Sequence, residues 1–266
     1  MRITHLNVYP IKGCRGVSVA SVAVDRLGLV GDRRLMLVDD AEHFISQREN
    51  PLLATLRPAL DGSSLTVAGR GNESTRLYID PDGADRVVRV WGRSDIVATD
   101  QGDAAADWFS EVIGQRCRLV FFGVHARNPV DPEFSPCVDA ETAFTDGYPM
   151  MVALQESLDD LNTRLDEQIP MDRFRPSAVV AGATEWSEDG WRAIRLGGLV
   201  CDAVKPCARC VVTTTDQLSG ARDARQEPLR TLATFRTVGG LGAIFGQNLV
   251  PRGTGTLQVG DEVQPV

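Results

Sequence analysis

The stretch CDAVKPCARCVVTTTD, running from Cys201 to Asp216, decides how the rest of the chain is read. It places three of the six cysteines within ten residues and follows the last with Val-Val-Thr-Thr-Thr. Those β-branched side chains favour extended backbone, so a strand is expected over 211–215. Four chemistries compete for the cysteines. A thioredoxin-like redox pair needs its CxxC at a helix N-terminus, where the dipole lowers the thiol pKa, and a β-favouring run is the wrong setting. A structural zinc site needs four N or S ligands; Cys201, Cys207 and Cys210 give three, and His5, His43 and His125 all lie far upstream. The cysteines also suit a third role, as small inert hydrophobes of a core. In the fourth, one thiolate is the single protein ligand to a thiophilic metal whose other ligands come from a cofactor. Lys205 and Arg209 would then lower the thiol pKa and attract an anionic tail.

Working outward, short strands are expected over 177–181, 192–196 and 199–204. Pro228 opens a short helix that turns Leu229, Leu232 and Phe235 inward. Gly239-Gly240-Leu241-Gly242 is a turn before a strand over 245–250, and 256–263 closes the sheet around Gly260-Asp261. Leu154, Leu158, Leu161 and Leu165 recur at helical spacing, which predicts an amphipathic helix ending before Pro170. A further helix is expected over 103–113, with Trp108 and Val112 on one side, then a strand over 116–122. The first hundred residues alternate in short runs (3–9, 22–24, 34–38, 44–47, 65–67) punctuated by Gly, Asp, Asn and Pro, the pattern of a barrel or compact antiparallel sheet. Asn128-Pro129, Asp131-Pro132 and Ser135-Pro136 mark a linker over about 123–138. The expectation is a mainly β protein with a few helices (α+β), divided into a β-barrel-like domain over 1–121 packed on a second β domain over 122–266. No GxGxxG, P-loop or nucleophile elbow occurs, so nucleotide-binding folds have no support.

The 266 residues are 43% hydrophobic and 24% charged, an ordinary globular balance. A net charge of −8 argues against nucleic acid as a partner, because that affinity comes from phosphate neutralisation. No apolar run long enough to span a bilayer and no signal layout is present, which predicts a cytoplasmic protein with reduced thiols and no membrane partner. Basic residues are 26 Arg and 2 Lys, and both lysines, Lys12 and Lys205, fall inside motifs.

KPCARCVVTTTD (205–216), Gly220 and EPLRTL (227–232) resemble the core of MOSC-domain proteins, which are similar to the C-terminal domain of molybdenum cofactor sulfurases. VYPIKGCRG (8–16), GLVGDRRLMLVD (28–39) and ISQREN (45–50) resemble the N-terminal β-barrel partner domain of the mitochondrial amidoxime-reducing component and its bacterial relatives. FRPSAVVAG (174–182), FGQNLV (245–250) and GTLQVGDEV (255–263) extend the likeness to the C-terminus. The resemblance implies a molybdenum–molybdopterin cofactor whose metal is bound through Cys210, the second cysteine of the CxRC element. It implies cofactor contacts from Lys12, Gly13, Arg33, Gly147, Tyr148, Arg175, Ser177, Ala208, Arg209 and Asn248. Gly13, Gly147, Tyr148, Ser177, Ala208 and Asn248 depart from the residues of the animal enzymes, so backbone amides at Gly13, Gly147 and Ala208 would replace lost hydroxyls.

The activity implied is reduction of N-hydroxylated compounds, with Asp146 and Asp216 as proton donors, water-positioning groups or simple turn caps. Electrons would come from a separate ferredoxin or flavin reductase, since no plant-type iron–sulfur cysteine run is present. Two rivals remain: a persulfide on Cys210 or Cys207 passed on in sulfur transfer, and a non-catalytic cofactor carrier. A pyridoxal-phosphate enzyme would also need a phosphate cup, but its Schiff base has only Lys12 and Lys205 to draw on, and neither sits in a pocket motif.

Overall fold

A computed structural model describes residues 1–71, 73–134 and 139–266. Its largest unit is a nine-stranded sheet in the order Val263–Pro265, Ala193–Leu196, Leu199–Ala208, Gly242–Pro251, Met150–Leu154, Ala178–Ala181, Arg2–Val8, Val17–Val19, with Thr237–Val238 hung on Gly242–Pro251. The first two strands, Arg2–Val8 and Val17–Val19, therefore complete a sheet otherwise built from the second half of the chain, with Arg2–Val8 pairing antiparallel to Ala178–Ala181. A bulge between Ile3 and His5 explains how Ile3 and Leu6, three apart, both enter the core of a period-two element. Met150–Leu154 and Ala178–Ala181 run parallel, and the helix Gln155–Asn162 provides the crossover that a parallel pair requires. Every residue of Met150–Leu154 is buried. Met150, Val152 and Leu154 face one apolar cluster and Met151 and Ala153 face another, so this strand lies between two cores.

Three smaller sheets surround this one. Leu35–Val38, Arg118–Phe121, Arg93–Asp100 and Asp85–Val90 form a four-stranded sheet. Arg57–Asp61, Ser64–Ala68 and Ser74–Tyr78 form a meander. Gly255–Gln258 from the C-terminal end joins Ser21–Asp25 and Gly28–Leu29 from the N-terminal end. The helix Asp103–Ile113 spans the expected residues and buries Ala105, Ala106, Phe109 and Ile113 before Gly114 ends it in left-handed backbone. No helix among the described residues is long and apolar enough to cross a membrane.

Three expectations are corrected. Residues 44–47 are not a strand: after a bridge from Phe44 to Val38, the Glu49 carboxylate accepts hydrogen bonds from the Ser46 amide (3.1 Å) and hydroxyl (3.2 Å). The carboxylate on the Ser46 amide is one arm of the S-x-x-E capping box; the Ser46 hydroxyl instead accepts from the Arg48 amide (3.1 Å), and these local bonds fold the segment into a turn. Residues 211–214 form a 3-10 turn, because the Thr213 and Thr214 hydroxyls bond back to the carbonyls of Cys210 (3.0 Å) and Val211 (2.8 Å). Local side-chain bonds thus outcompete a sheet ladder that β propensity alone favours. The helix of the leucine repeat covers only Gln155–Asn162, although Leu165 still packs on the same core. Of the expected linker, 135–138, with Cys137, lies outside the described residues.

Candidate functional site

The strand Leu199–Ala208 carries Cys201 at one end and Cys207 near the other. Six residues of extended chain span about 20 Å, so the two thiols do not share a metal or a disulfide. The five described cysteines are free, and no three His, Cys, Asp or Glu side chains among the described residues are grouped to hold a metal ion. Cys201 is sealed in the main core, the inert role, and burial pushes its thiol up to about 12. Two bulges, between Ala203 and Lys205 and between Pro206 and Ala208, re-aim the strand end. Cys207 packs beside the second core, and burial raises its thiol against the pull of Arg209. Cys210 follows at the mouth of the 3-10 turn, partly exposed, its sulfur without a hydrogen-bond partner among the described residues.

Arg209 is held between them by backbone. Its Nε and one terminal nitrogen donate to the Phe245 carbonyl (2.9 and 2.6 Å), and the other terminal nitrogen donates to the Phe174 carbonyl (3.0 Å). Phe174 and Phe245 stack with centroids 3.8 Å apart. The guanidinium thus clamps the cysteine loop to the 3-10 turn Met171–Phe174 and to the strand Gly242–Pro251, and its donors are engaged within the protein rather than aimed at a ligand.

Two turns of the N-terminal third, at Lys12 and Arg33, meet Arg175 at the end of the 3-10 turn Met171–Phe174. Tyr9 is buried beneath two guanidiniums, Arg33 at 4.1 Å and Arg175 at 4.3 Å from its ring centroid. Both arginines hold left-handed backbone, φ +47° and +55°, a conformation that non-glycine residues keep only where their surroundings impose it. Arg33 pairs with the buried Asp32 (2.5 Å) and donates to the Arg175 carbonyl (3.1 Å). Arg175 has no carboxylate partner among the described residues. It donates to Gln217 (3.2 Å), which exchanges amide hydrogen bonds with Gln47 (3.2 Å each way). Burial depresses the Arg175 guanidinium, as expected for a charge removed from water without a counterion. Lys12 is almost wholly buried, its ammonium 4.7 Å from the Phe44 ring and paired with Asp146. Burial pulls its pKa down while Asp146 supports the charge.

Asp146 is open to solvent, with 76% of its side chain exposed. Oδ1 accepts from Lys12 and from the Trp91 indole (2.8 Å). Its surroundings raise its carboxyl pKa by partial desolvation, but Lys12, the indole and Arg33 outweigh this and hold it well below the usual carboxylate range. At neutral pH it is a fixed anion, which suits a positioning role rather than proton donation. Asp216 is a turn cap: Oδ1 accepts from the Leu218 and Ser219 amides (3.2 and 2.8 Å), and Oδ2 pairs with Arg173.

The other expected contacts divide between this rim and the scaffold. Gly147 and Tyr148 follow Asp146, and Tyr148 is half-buried, its phenol pushed up to about 12 by burial. Gly13, at φ +85°, follows Lys12 and gives its carbonyl to Gln47 (2.5 Å). Ala208 is exposed at the strand end, and Asn248 lies half-buried on the neighbouring strand. The Ser177 hydroxyl is buried and accepts from the Met151 amide (3.2 Å), so it serves the sheet. Lys205 points elsewhere, 3.7 Å from the Phe134 ring. Tyr9, Asp32, Gln47, Trp91 and Gln217 were not singled out from the sequence. The S-x-x-E pattern around Gln47 was a usable signal, whereas Trp91 reaches the site only through tertiary pairing.

Strand-end cysteines with Arg209 and Arg33 close to Cys207, in a β protein whose first strands complete its last sheet, define a class of two-module MOSC proteins. Residues 1–116 match the MOSC N-terminal beta barrel domain and residues 139–264 the MOSC domain. The chain is 31% identical to mitochondrial amidoxime-reducing component 1 of Mus musculus over 98% of its own length and 81% of that protein. It is 34% identical to mitochondrial amidoxime reducing component 2 of Rattus norvegicus over 98% of this chain and 82% of that one. The protein belongs to the MOSC family that contains these amidoxime-reducing components.

Proposed function

We propose that the protein is a molybdenum-cofactor-dependent oxidoreductase that reduces N-hydroxylated compounds, drawing electrons from a separate redox protein. The observation that supports this most is the pairing of the cations gathered at Tyr9 and Lys12. Lys12 pairs with Asp146 and Arg33 with Asp32, while the half-buried Arg175 makes no ion pair among the described residues, so one cation of the three is left without a carboxylate in contact. Such a charge is stabilised by an anionic ligand, and a cofactor with a phosphate tail supplies one.

The residues present fit the group. Cys210 offers one soft ligand with no competing hydrogen bond among the described residues. Arg175, Arg33 and Lys12 would take the tail, with the amides of Gly13, Gly147 and Ala208 at the rim. When bound, the molybdenum centre supplies the two electrons that cleave the N–O bond. The chain's own part is to fix geometry and charge. Arg209 holds the cysteine loop rigid, Asp146 stays ionised to orient substrate or water, and Lys12 Nζ keeps that carboxylate in place. Tyr9 stays protonated, its phenol pushed up to about 12 by burial, and donates to the Pro176 carbonyl (3.3 Å), so it serves as a neutral platform for both arginines.

The test is Cys210→Ala made in cells that synthesise the cofactor, assayed for benzamidoxime reduction with a reduced viologen and for bound molybdenum. Loss of turnover by a hundredfold or more with loss of the metal is expected (~3 kcal/mol in transition-state stabilisation). Retained activity removes Cys210 as the ligand. A sulfur adduct on Cys210 in metal-free wild-type protein would favour sulfur transfer, and full metal content with no turnover would favour a carrier.

A further inference from the structure

The hairpin joining Asp85–Val90 to Arg93–Asp100 turns on Trp91-Gly92, and the tryptophan rather than the glycine carries the positive φ, +54°. Glycine is the residue that takes such backbone without penalty, so a bulky side chain here points to a use other than folding. The indole does not serve the core either: Trp91 is 45% exposed. Its nitrogen donates to Asp146 Oδ1 (2.8 Å), and Phe44 packs edge-on with centroids 5.5 Å apart. Over its face lies the guanidinium of Arg48, 4.2 Å from the centroid. Arg48 is exposed, and among the described residues its side chain makes no hydrogen bond and no ion pair. Asp146 spends only Oδ1 on Lys12 and Trp91. Its Oδ2 has no partner among the described residues. An aromatic face, a free carboxylate oxygen that stays ionised and a loosely held planar cation therefore meet at the rim of the thiol site.

We propose that Trp91 and Asp146 form a subsite for planar cations of the amidinium or guanidinium type, and that Arg48 occupies it until such a ligand displaces it. A planar cation gains a cation–π contact with the indole and a charge-assisted hydrogen bond to Asp146 Oδ2; a neutral isostere gains neither. Arg48 shows that the indole face accepts a guanidinium, and it leaves Asp146 Oδ2 free. Because its guanidinium has no hydrogen bond or ion pair to lose among the described residues, displacing it costs little. For turnover the subsite rests on the reductase reading. It then selects cationic N-hydroxyguanidines over neutral hydroxamic acids.

The test binds two isosteres, benzamidinium and neutral benzamide, to the full chain while following the Trp91 indole N–H resonance. Benzamidinium binds roughly fivefold tighter or more. Arg48→Ala strengthens benzamidinium a few-fold and leaves benzamide unchanged. Trp91→Gly, which suits the turn, abolishes the preference. In turnover, Arg48→Ala lowers KM for an N-hydroxyguanidine and not for a hydroxamic acid. Equal affinity for the two probes, or an Arg48→Ala variant that leaves benzamidinium unmoved, overturns the subsite. Discrimination between the probes without reduction of any N-hydroxylated compound leaves the subsite standing and refutes the reductase reading alone.

Discussion

Replacing Glu188 with Gln should make the protein more stable above pH 7 and leave it nearly unchanged at pH 5. Glu188 is fully buried in the 3-10 turn Ser187–Gly190. Oε2 accepts from the Ser157 hydroxyl at 2.9 Å, and Oε1 has no partner among the described residues. Burial pushes its carboxyl from 4.5 up to about 7, with Asp189 adding to the rise and Ser157 and Arg236 opposing it. The folded state therefore holds this proton more tightly than the unfolded chain. That stability is fully present below about pH 4.5 and is lost as pH rises through about 7. At about 1.4 kcal/mol per pH unit, the loss amounts to about 3 kcal/mol. Gln keeps the shape and the acceptor for Ser157 but cannot ionise. Urea unfolding of both proteins at pH 5, 6, 7 and 8 should show the difference opening by about 1.4 kcal/mol per unit in favour of Glu188→Gln until it levels off above pH 7. A difference that stays constant across the range would refute the reasoning. The site feels this group through packing: the neighbouring Trp186 meets Phe245 at 5.8 Å, and Phe245 carries the carbonyl that holds Arg209.

Arg209→Lys cannot serve the Phe174 and Phe245 carbonyls together. Thermal or urea unfolding should show a loss of about 2–3 kcal/mol from unsatisfied buried acceptors. Arg175→Met removes a half-buried cation that has no carboxylate partner among the described residues. The cofactor-free protein should gain up to about 1 kcal/mol while molybdenum content falls sharply, and elemental analysis alongside calorimetry checks both. Burial raises the Cys207 thiol, so iodoacetamide at pH 7 should label Cys210 in preference to Cys207, and Cys207→Ser should leave the labelling of position 210 unchanged by peptide mass spectrometry.

The chain's local chemistry was legible wherever one element settles its own conformation. Helix Asp103–Ile113 could be read to the residue because its apolar face and the glycine beyond it lie within a few turns of sequence. Leu229–Phe235 followed from Pro228 and three inward residues. Reading failed where side chains answer the backbone locally, as at Ser46–Glu49 and Thr213–Thr214, since β propensity counts residue types and not their hydrogen bonds. Several strands, among them Asp85–Val90 and Arg93–Asp100, are not legible because DRVVRV and RSDIVATD lack a clean apolar–polar alternation and take their faces from the pairing itself.

For the site, motif likeness supplied the residues but not what occupies them. Arg209 stands beside the thiol and reads as a ligand for an anion, yet its donors are taken by two carbonyls far apart in sequence, one in a 3-10 turn and one in a strand. Arg175 reads the same way, but its surroundings contain no carboxylate partner among the described residues. What separates a clamp from a binding group is which hydrogen-bond partners the fold leaves free. Two guanidiniums of identical chemistry differ only in that respect, so the cation left unmatched, and not the cation nearest the cysteine, is the better guide to where an anionic ligand lies.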